Sequence, residues 1–187
     1  MDAFWKRLAD VLMRHCDAVH ELALKDVEFQ AFEATPASIA MEQFDSMTPL
    51  EFEQAIATLV QRDGHAVARR NGGARDLGAD VIATTPDGRK IVFQCKHRRP
   101  GGRPLGSSPV IQTLNGTARP VHHADIVIAV TNPSFTGPAE ELAAKQDIHL
   151  LHGRQLRRWA TWGVPLLDVL WIEHESGQKV SLTRNFS

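Results

Sequence analysis

The sequence predicts an α/β fold, a sheet covered by helices on both faces, and three observations predict it. After residue 90, short apolar runs alternate with amphipathic segments, as strands alternate with helices. Residues 78–96 read as a hairpin: Gly78-Ala79-Asp80, an apolar run, a Pro86-Asp87-Gly88 turn, a second apolar run, then Gln94-Cys95-Lys96. The stretch Ile126-Val127-Ile128-Ala129-Val130 has no polar interruption, as expected of a strand buried on both faces.

Taken in order, the elements start with a helical extension. From Asp2 to about Ala34 the residues Phe4, Leu8, Val11, Leu12, Val19 and Leu22 recur at helical spacing, in one long helix or two shorter ones, closed by Thr35-Pro36. Thr48-Pro49-Leu50-Glu51 opens the next helix with an N-cap, a proline at the first helical position and a glutamate three residues after the cap. Its stripe is Phe52, Ile56, Leu59 and Val60, and Gly64 ends it. His65 to Ala68 is a weak first strand, and Arg69 to Gly78 a polar loop. Val81-Ile82-Ala83 and Ile91-Val92-Phe93 are the hairpin strands. Arg98 to Ser108 forms a Gly/Pro/Arg loop, and Ser108-Pro109 caps a helix running to about Gly116. The buried strand at 126–130 precedes a helix from Ala139 to Gln146, introduced by Thr136-Gly137-Pro138. A short strand at 148–151 and a helix from about Arg154 to Trp159 follow. Residues 162–171 and 179–183 show no pattern that assigns an element. Trp159, Trp162 and Trp171 read as core or interface residues rather than as platforms for stacked bases. The expected organisation is an N-terminal helical extension over 1–47, a main domain over 48–160 and a tail over 161–187 packed on the core.

Composition narrows the function. No run of eighteen apolar residues exists to span a membrane, and the N-terminus has no apolar stretch after Lys6 and Arg7, so it does not read as a secretory signal. Cys16 and Cys95 lack metal-ligand spacing, which points to reduced thiols and a cytoplasmic location. The net charge of −1 conceals a strong asymmetry. Residues 1–61 hold 4 Lys/Arg against 11 Asp/Glu, a balance of −7; residues 62–119 hold 11 against 4, a balance of +7. A basic block of this size attracts a polyanion whatever the total charge, although a solvated arginine-rich face would read the same way. Scattered histidines (His97, His122, His123, His149, His152) have no zinc spacing, and Gly72-Gly73 and Gly101-Gly102 lack the lysine of a phosphate-binding loop.

The hairpin carries the chemistry. Its midpoint near residue 87 sets Asp80 across from Gln94 or Cys95. Alternation puts Gln94 and Lys96 on one face and turns Cys95 to the other; Asp80 joins the Gln94/Lys96 face only in the right register. Phosphodiester hydrolysis needs a Lewis acid and an oriented water. Magnesium takes oxygen ligands, one or two of them carboxylates. Asp80 supplies a charged oxygen, Gln94 a neutral one, and Lys96 can orient the water and stabilise developing charge. The best second carboxylate is Glu53, since Glu51 serves the capping box and Glu53 borders the Phe52/Ile56/Val60 stripe. An exposed helix glutamate explains Glu53 equally well, and an isolated Asp…Gln-x-Lys pattern is common.

In combination these segments resemble one family. Gly78-Ala79-Asp80-Val81-Ile82-Ala83, the turn and Val92-Phe93-Gln94-Cys95-Lys96 resemble the core of the Mrr-type restriction endonucleases, within the PD-(D/E)xK nuclease superfamily. So do Phe52-Glu53, Asp63-Gly64-His65-Ala66-Val67, the segment Ile128-Ala129-Val130-Thr131-Asn132 with Phe135-Thr136 and Ala139, and the closing Ile148 to Leu156. The resemblance covers about residues 48–160. It implies a restriction-endonuclease-like central mixed sheet flanked by helices. It also implies a Mg²⁺-dependent DNA endonuclease of restriction or anti-phage defence, with Mn²⁺ as a substitute metal. By position it makes Asp80, Gln94 and Glu53 metal ligands and Lys96 the catalytic lysine; glutamine at the Gln94 position is frequent in the family. Arg75, Arg98, Arg99 and Arg103 are the expected DNA contacts. Residues 1–47 are too short and acidic to resemble a DNA-reading domain, so targeting by a separate specificity subunit is expected, and a homodimer would supply two active sites. The rival readings are a nuclease fold kept as a DNA-binding or assembly subunit, and a structure-selective enzyme acting on junctions or RNA.

Overall fold

The computed structural model of the protein describes residues 24–69, 78–99 and 109–173. Residues 24–33 form helix α1, followed by α2 (Met41–Ser46), α3 (Pro49–Arg62), β1 (Ala66–Arg69), β2 (Val81–Thr84) and β3 (Lys90–Lys96). Then come α4 (Pro109–Thr117), β4 (Ile126–Thr131), α5 (Gly137–Lys145), β5 (His149–Leu151), α6 (Gly153–Ala160) and α7 (Leu166–Val169). The five strands make one sheet in the order β1-β2-β3-β4-β5. β1, β2 and β3 are antiparallel neighbours, whereas β3, β4 and β5 run parallel. This is a mixed sheet of restriction-endonuclease-like form, flanked by helices.

Each half of the sheet follows from its connections. A tight turn can join antiparallel strands, but parallel ones need a crossover helix. The β2–β3 turn is closed by Gly88 N–H donating to Thr85 O at 3.0 Å, with Gly88 at φ +92°, where glycine alone is unstrained. Helix α4 lies between β3 and β4, and α5 between β4 and β5.

Two cores cover the two faces. On one, Phe52, Ile56, Leu59 and Val60 of α3 pack with Phe93 and Cys95 of β3, Ile128 of β4 and Leu156 and Trp159 of α6. On the other, Val92, Val127 and Ala129 meet Ile111 and Leu114 of α4 and Ala139 and Ala143 of α5. Every residue of β4 is buried, which is why its sequence reads as an unbroken apolar run.

The capping box at α3 is formed as its sequence dictates: Glu51 N–H donates to Thr48 Oγ1 at 3.3 Å and Thr48 N–H to Glu51 Oε2 at 2.7 Å. The Thr48 backbone bond, and next its side chain, hold the Glu51 carboxyl below the usual carboxylate range. At the other end Asp63 Oδ2 accepts from Trp159 Nε1 and from the Leu166 N–H, both at 2.7 Å, tying α3 to α6 and α7. Leu166, Leu167 and Val169 of α7 are buried in the first core. The segment at 162–171 therefore contains a helix that the sequence pattern does not mark.

The helical extension docks at the same corner. Phe29 stacks on Trp162 with ring centroids 5.2 Å apart, and Arg62 lies 5.4 Å from the Phe32 ring centre. Gly163, at φ +74°, faces that ring so closely that a Cβ there would lie 2.7 Å from it. Helix α2 is a further element without a sequence signal. The other expectations for residues 1–23, 70–77, 100–108 and 174–187, including Arg75, Arg103, Cys16 and the Ser108 cap, lie outside the described residues.

Candidate active site

β2 and β3 pair from Thr84–Lys90 to Val81–Phe93, and Asp80 lies just before the first paired residue of β2. The Asp80 N–H also donates to Phe93 O at 2.9 Å, so Asp80 and Val81 both stand against Phe93 and the regular register breaks there. Alternation along β3 puts Gln94 on the face that carries Val92. The sequence sets Asp80 across from Gln94 or Cys95, and its carboxylate meets both, the Gln94 side chain and the Cys95 backbone N–H.

Both side chains are buried, with 5% of Asp80 and 4% of Gln94 exposed, so each needs internal hydrogen-bond partners. They find each other: Gln94 Nε2 donates to Asp80 Oδ2. The Cys95 backbone N–H donates to the same oxygen at 2.6 Å. The other end of the Gln94 amide faces Gly78, where a Cβ would lie 3.0 Å from Oε1 and 3.2 Å from Thr113 of α4. Gly78 has φ +84°, a left-handed conformation that glycine adopts without penalty, so it provides both the turn into β2 and the room for the amide.

Lys96 ends β3 and is partly exposed, on the Gln94 face by alternation. Cys95 turns the other way, into the core beside α3. Its thiol registers the charges around it. Burial pushes the Cys95 thiol well up; the negative charges of Asp80 and then Glu53 push it further, and the Lys96 ammonium opposes them. Asp80, Glu53 and Lys96, from β2, α3 and β3, thus all lie within electrostatic range of one sulfur at the end of the β2–β3 pair. Glu53 is half-buried on α3.

The oxygen donors at this end are the Asp80 carboxylate, the Gln94 amide and the Glu53 carboxylate. An all-oxygen set of this kind suits a hard divalent cation such as magnesium rather than zinc. With its Nε2 on Asp80, the Gln94 amide neutralises part of the buried carboxylate; a half-turn of the amide would put Oε1 there instead. Among the described residues no group of three or more His, Cys, Asp or Glu is placed to hold a metal.

Beyond Lys96 the chain is held by β4. Thr131 Oγ1 donates to Lys96 O at 2.6 Å. Asn132 accepts the Arg98 N–H at 2.8 Å and donates to Arg98 O at 2.7 Å and to Asp45 Oδ1 of α2 at 2.9 Å. Arg98 and Arg99 are exposed just past this point. In sequence, Thr131-Asn132 reads as a strand end that leads to a loop where ligands bind or to the cap of the next helix; the Asn132 bonds span 34 residues, or 87 to Asp45, and no local pattern encodes them. On α4, Gln112 is exposed and Asn115 half-buried.

Comparison with known proteins places the chain. A family model described as restriction endonuclease, of the Mrr catalytic type, matches residues 44–160. No curated protein matches the chain. Two solved structures are similar over part of it. One is the crystal structure of a protein of unknown function, AF1548, with TM-score 0.48 and 19% identity over 66% of this chain and 65% of that one. The other is EndoMS in apo form, with TM-score 0.35 and 18% identity over 51% of this chain and 41% of that one. The chain therefore spans less than two thirds of either. Among the described residues no helix is long and apolar enough to cross a membrane.

Proposed function

The chain belongs to the Mrr-type restriction endonuclease family, and from that membership we propose that it is a magnesium-dependent endonuclease hydrolysing the phosphodiester bonds of DNA in restriction or anti-phage defence. The observation that carries the reading is the buried Asp80–Gln94 pair at the end of β2 and β3, with Glu53 and Lys96 in electrostatic range of the same point. Asp80, Gln94 and Glu53 are the residues to hold Mg²⁺, with Mn²⁺ as a substitute. The bound cation would supply Lewis-acid stabilisation of charge on the scissile phosphate. Lys96 orients the attacking water and offsets the charge that develops as it attacks. Arg98 and Arg99 present two exposed guanidinium groups beside Lys96, suited to the flanking phosphates. Arg75 and Arg103 belong to the same basic block in sequence and are proposed as further contacts. Two cuts on a duplex call for two such sites, hence a homodimer. The acidic balance of residues 1–61 does not suit contact with DNA, and a targeting partner that contributes to sequence reading is part of the same proposal.

One observation favours a second reading, a DNA-binding or assembly subunit with no cleavage: Asp80 is the one buried carboxylate of the set, Glu53 being half-buried. Incubation with duplex DNA separates the two. The enzyme cuts in Mg²⁺ or Mn²⁺ and stops in a chelator. A binding subunit retains DNA in a salt-sensitive complex and leaves it intact with either metal.

A further inference from the structure

The parallel ladder between β3 and β4 ends at the pair Lys96–Thr131. Past such an end, backbone N–H and C=O groups lose their partners and strands diverge. Here residues 96–98 are nevertheless held, each by a different group. The Lys96 carbonyl accepts from the Thr131 hydroxyl at 2.6 Å. His97 donates through Nε2 to Phe44 O of α2 at 2.9 Å, its ring 5.6 Å from that of Phe52. Both backbone groups of Arg98 go to the Asn132 side chain, at 2.8 and 2.7 Å.

The Asn132 amide thus does what a peptide group of a longer β4 would do: it accepts one N–H and donates to one C=O of the neighbouring strand. Its second amide hydrogen goes to Asp45 Oδ1 at 2.9 Å, which fixes which end of the amide is oxygen. Asn132 is buried, so these bonds are made away from competing water. No other residue type of this size offers one acceptor and two donors in one plane.

We infer that Asn132 is a positioning residue for Lys96 and Arg98, braced by Asp45 of α2. It sets the direction in which β3 leaves the sheet, and so where the lysine ammonium and the first exposed arginine stand relative to Asp80. This rests on the nuclease reading of the site. It also accounts for α2, since that short helix carries Phe44, whose carbonyl accepts from His97, and Asp45, which accepts from Asn132.

The test uses the full chain and three variants, Asn132→Ala, Asn132→Asp and the exchanged pair Asp45→Asn/Asn132→Asp. Asn132→Ala should speed amide exchange at residues 96–98. It should lower kcat on duplex DNA by about 100-fold, the scale of a catalytic group displaced by about an ångström, while KM and DNA affinity in Ca²⁺ change far less. Asn132→Asp sets two carboxylates against each other and should lose comparable activity. The exchanged pair restores an amide–carboxylate contact but not the bond to Arg98 O, so it should regain melting temperature over Asn132→Asp while its kcat stays low. Wild-type kcat in Asn132→Ala, or wild-type kcat in the exchanged pair, overturns the inference. If the wild-type chain itself cuts no DNA, the nuclease reading fails. Amide exchange then decides the clamp separately: unchanged exchange at residues 96–98 in Asn132→Ala overturns it.

Discussion

Gln94 donates its side-chain amide to the carboxylate of Asp80 across the β2–β3 pair, with both residues buried. A buried carboxylate is costly unless neutralised or hydrogen-bonded. Here the amide and the Cys95 N–H meet that need at one oxygen. The pair therefore reads as a ligand site held together by its own hydrogen bonds. Replacing Gln94 by glutamate should set two buried carboxylates side by side and destabilise the metal-free protein by about 1–3 kcal/mol. Added Mg²⁺ should raise the melting temperature of Gln94→Glu more than that of wild type. Thermal melts with and without Mg²⁺ check this, and an equal shift in the two proteins would remove Gln94 from the ligand set.

Glu53 decides between catalysis and binding. It stands half-buried on α3, on the side of the sheet toward which Cys95 points, and its charge reaches that thiol. Glu53→Gln keeps size and helix while removing the charge. The expected outcome is a loss of cleavage on the order of 10²-fold, partly recovered at higher Mg²⁺, with DNA affinity in Ca²⁺ retained. Cleavage rates across a Mg²⁺ titration measure it; a rate equal to wild type would make Glu53 an ordinary surface glutamate.

Arg98 and Arg99 are expected to meet phosphates. The double variant Arg98→Ala/Arg99→Ala should weaken binding to all duplex sequences alike. It should also lower the slope of log K against log salt by roughly 0.9 for each phosphate no longer neutralised. Affinity measured over a series of salt concentrations reads this directly. An unchanged slope would move the phosphate-binding groups elsewhere in the basic block.

Stability should fall on mild acidification. Burial holds His149 and His152 below the usual imidazole range, against the smaller opposing effects of Asp147 and Glu140. A group whose folded pKa is depressed favours the folded state above its unfolded pKa. That contribution is lost as pH falls through the folded value, because the unfolded chain binds the proton more readily. Melting temperature should therefore drop as pH falls below about 6.5, and His149→Gln/His152→Gln should flatten the drop. The same slope in the variant would assign it to other groups.

Legibility in the sequence varies with the range of the interactions. The Pro86-Asp87-Gly88 turn sets the hairpin to within one residue, and the Asp80 carboxylate meets both candidates this allows, Gln94 and Cys95. The Thr48-to-Glu51 box places the start of α3, because capping joins residues three apart. Helix α2 has no such mark: it has six residues, and Ala40 at its N-cap makes no side-chain cap bond. Helix α7 is four residues long and held by packing. Trp171, grouped in sequence with core or interface tryptophans, is 84% exposed, whereas Trp159 is fully buried. The Asn132 clamp and the close approach of Gly78 to Gln94 depend on residues brought together by the fold. No periodicity or spacing reports them.

The assignment of Asp80 and Lys96 to one metal-dependent nuclease site is tested most directly by cleavage of supercoiled plasmid. Wild type, Asp80→Ala and Lys96→Ala are compared in Mg²⁺ and in chelator, with folding of each variant verified by its melting curve. The expected result is nicked or linear product from wild type in Mg²⁺ alone, and a loss on the order of 10³-fold in both variants. Cleavage by wild type that persists in both variants would contradict it.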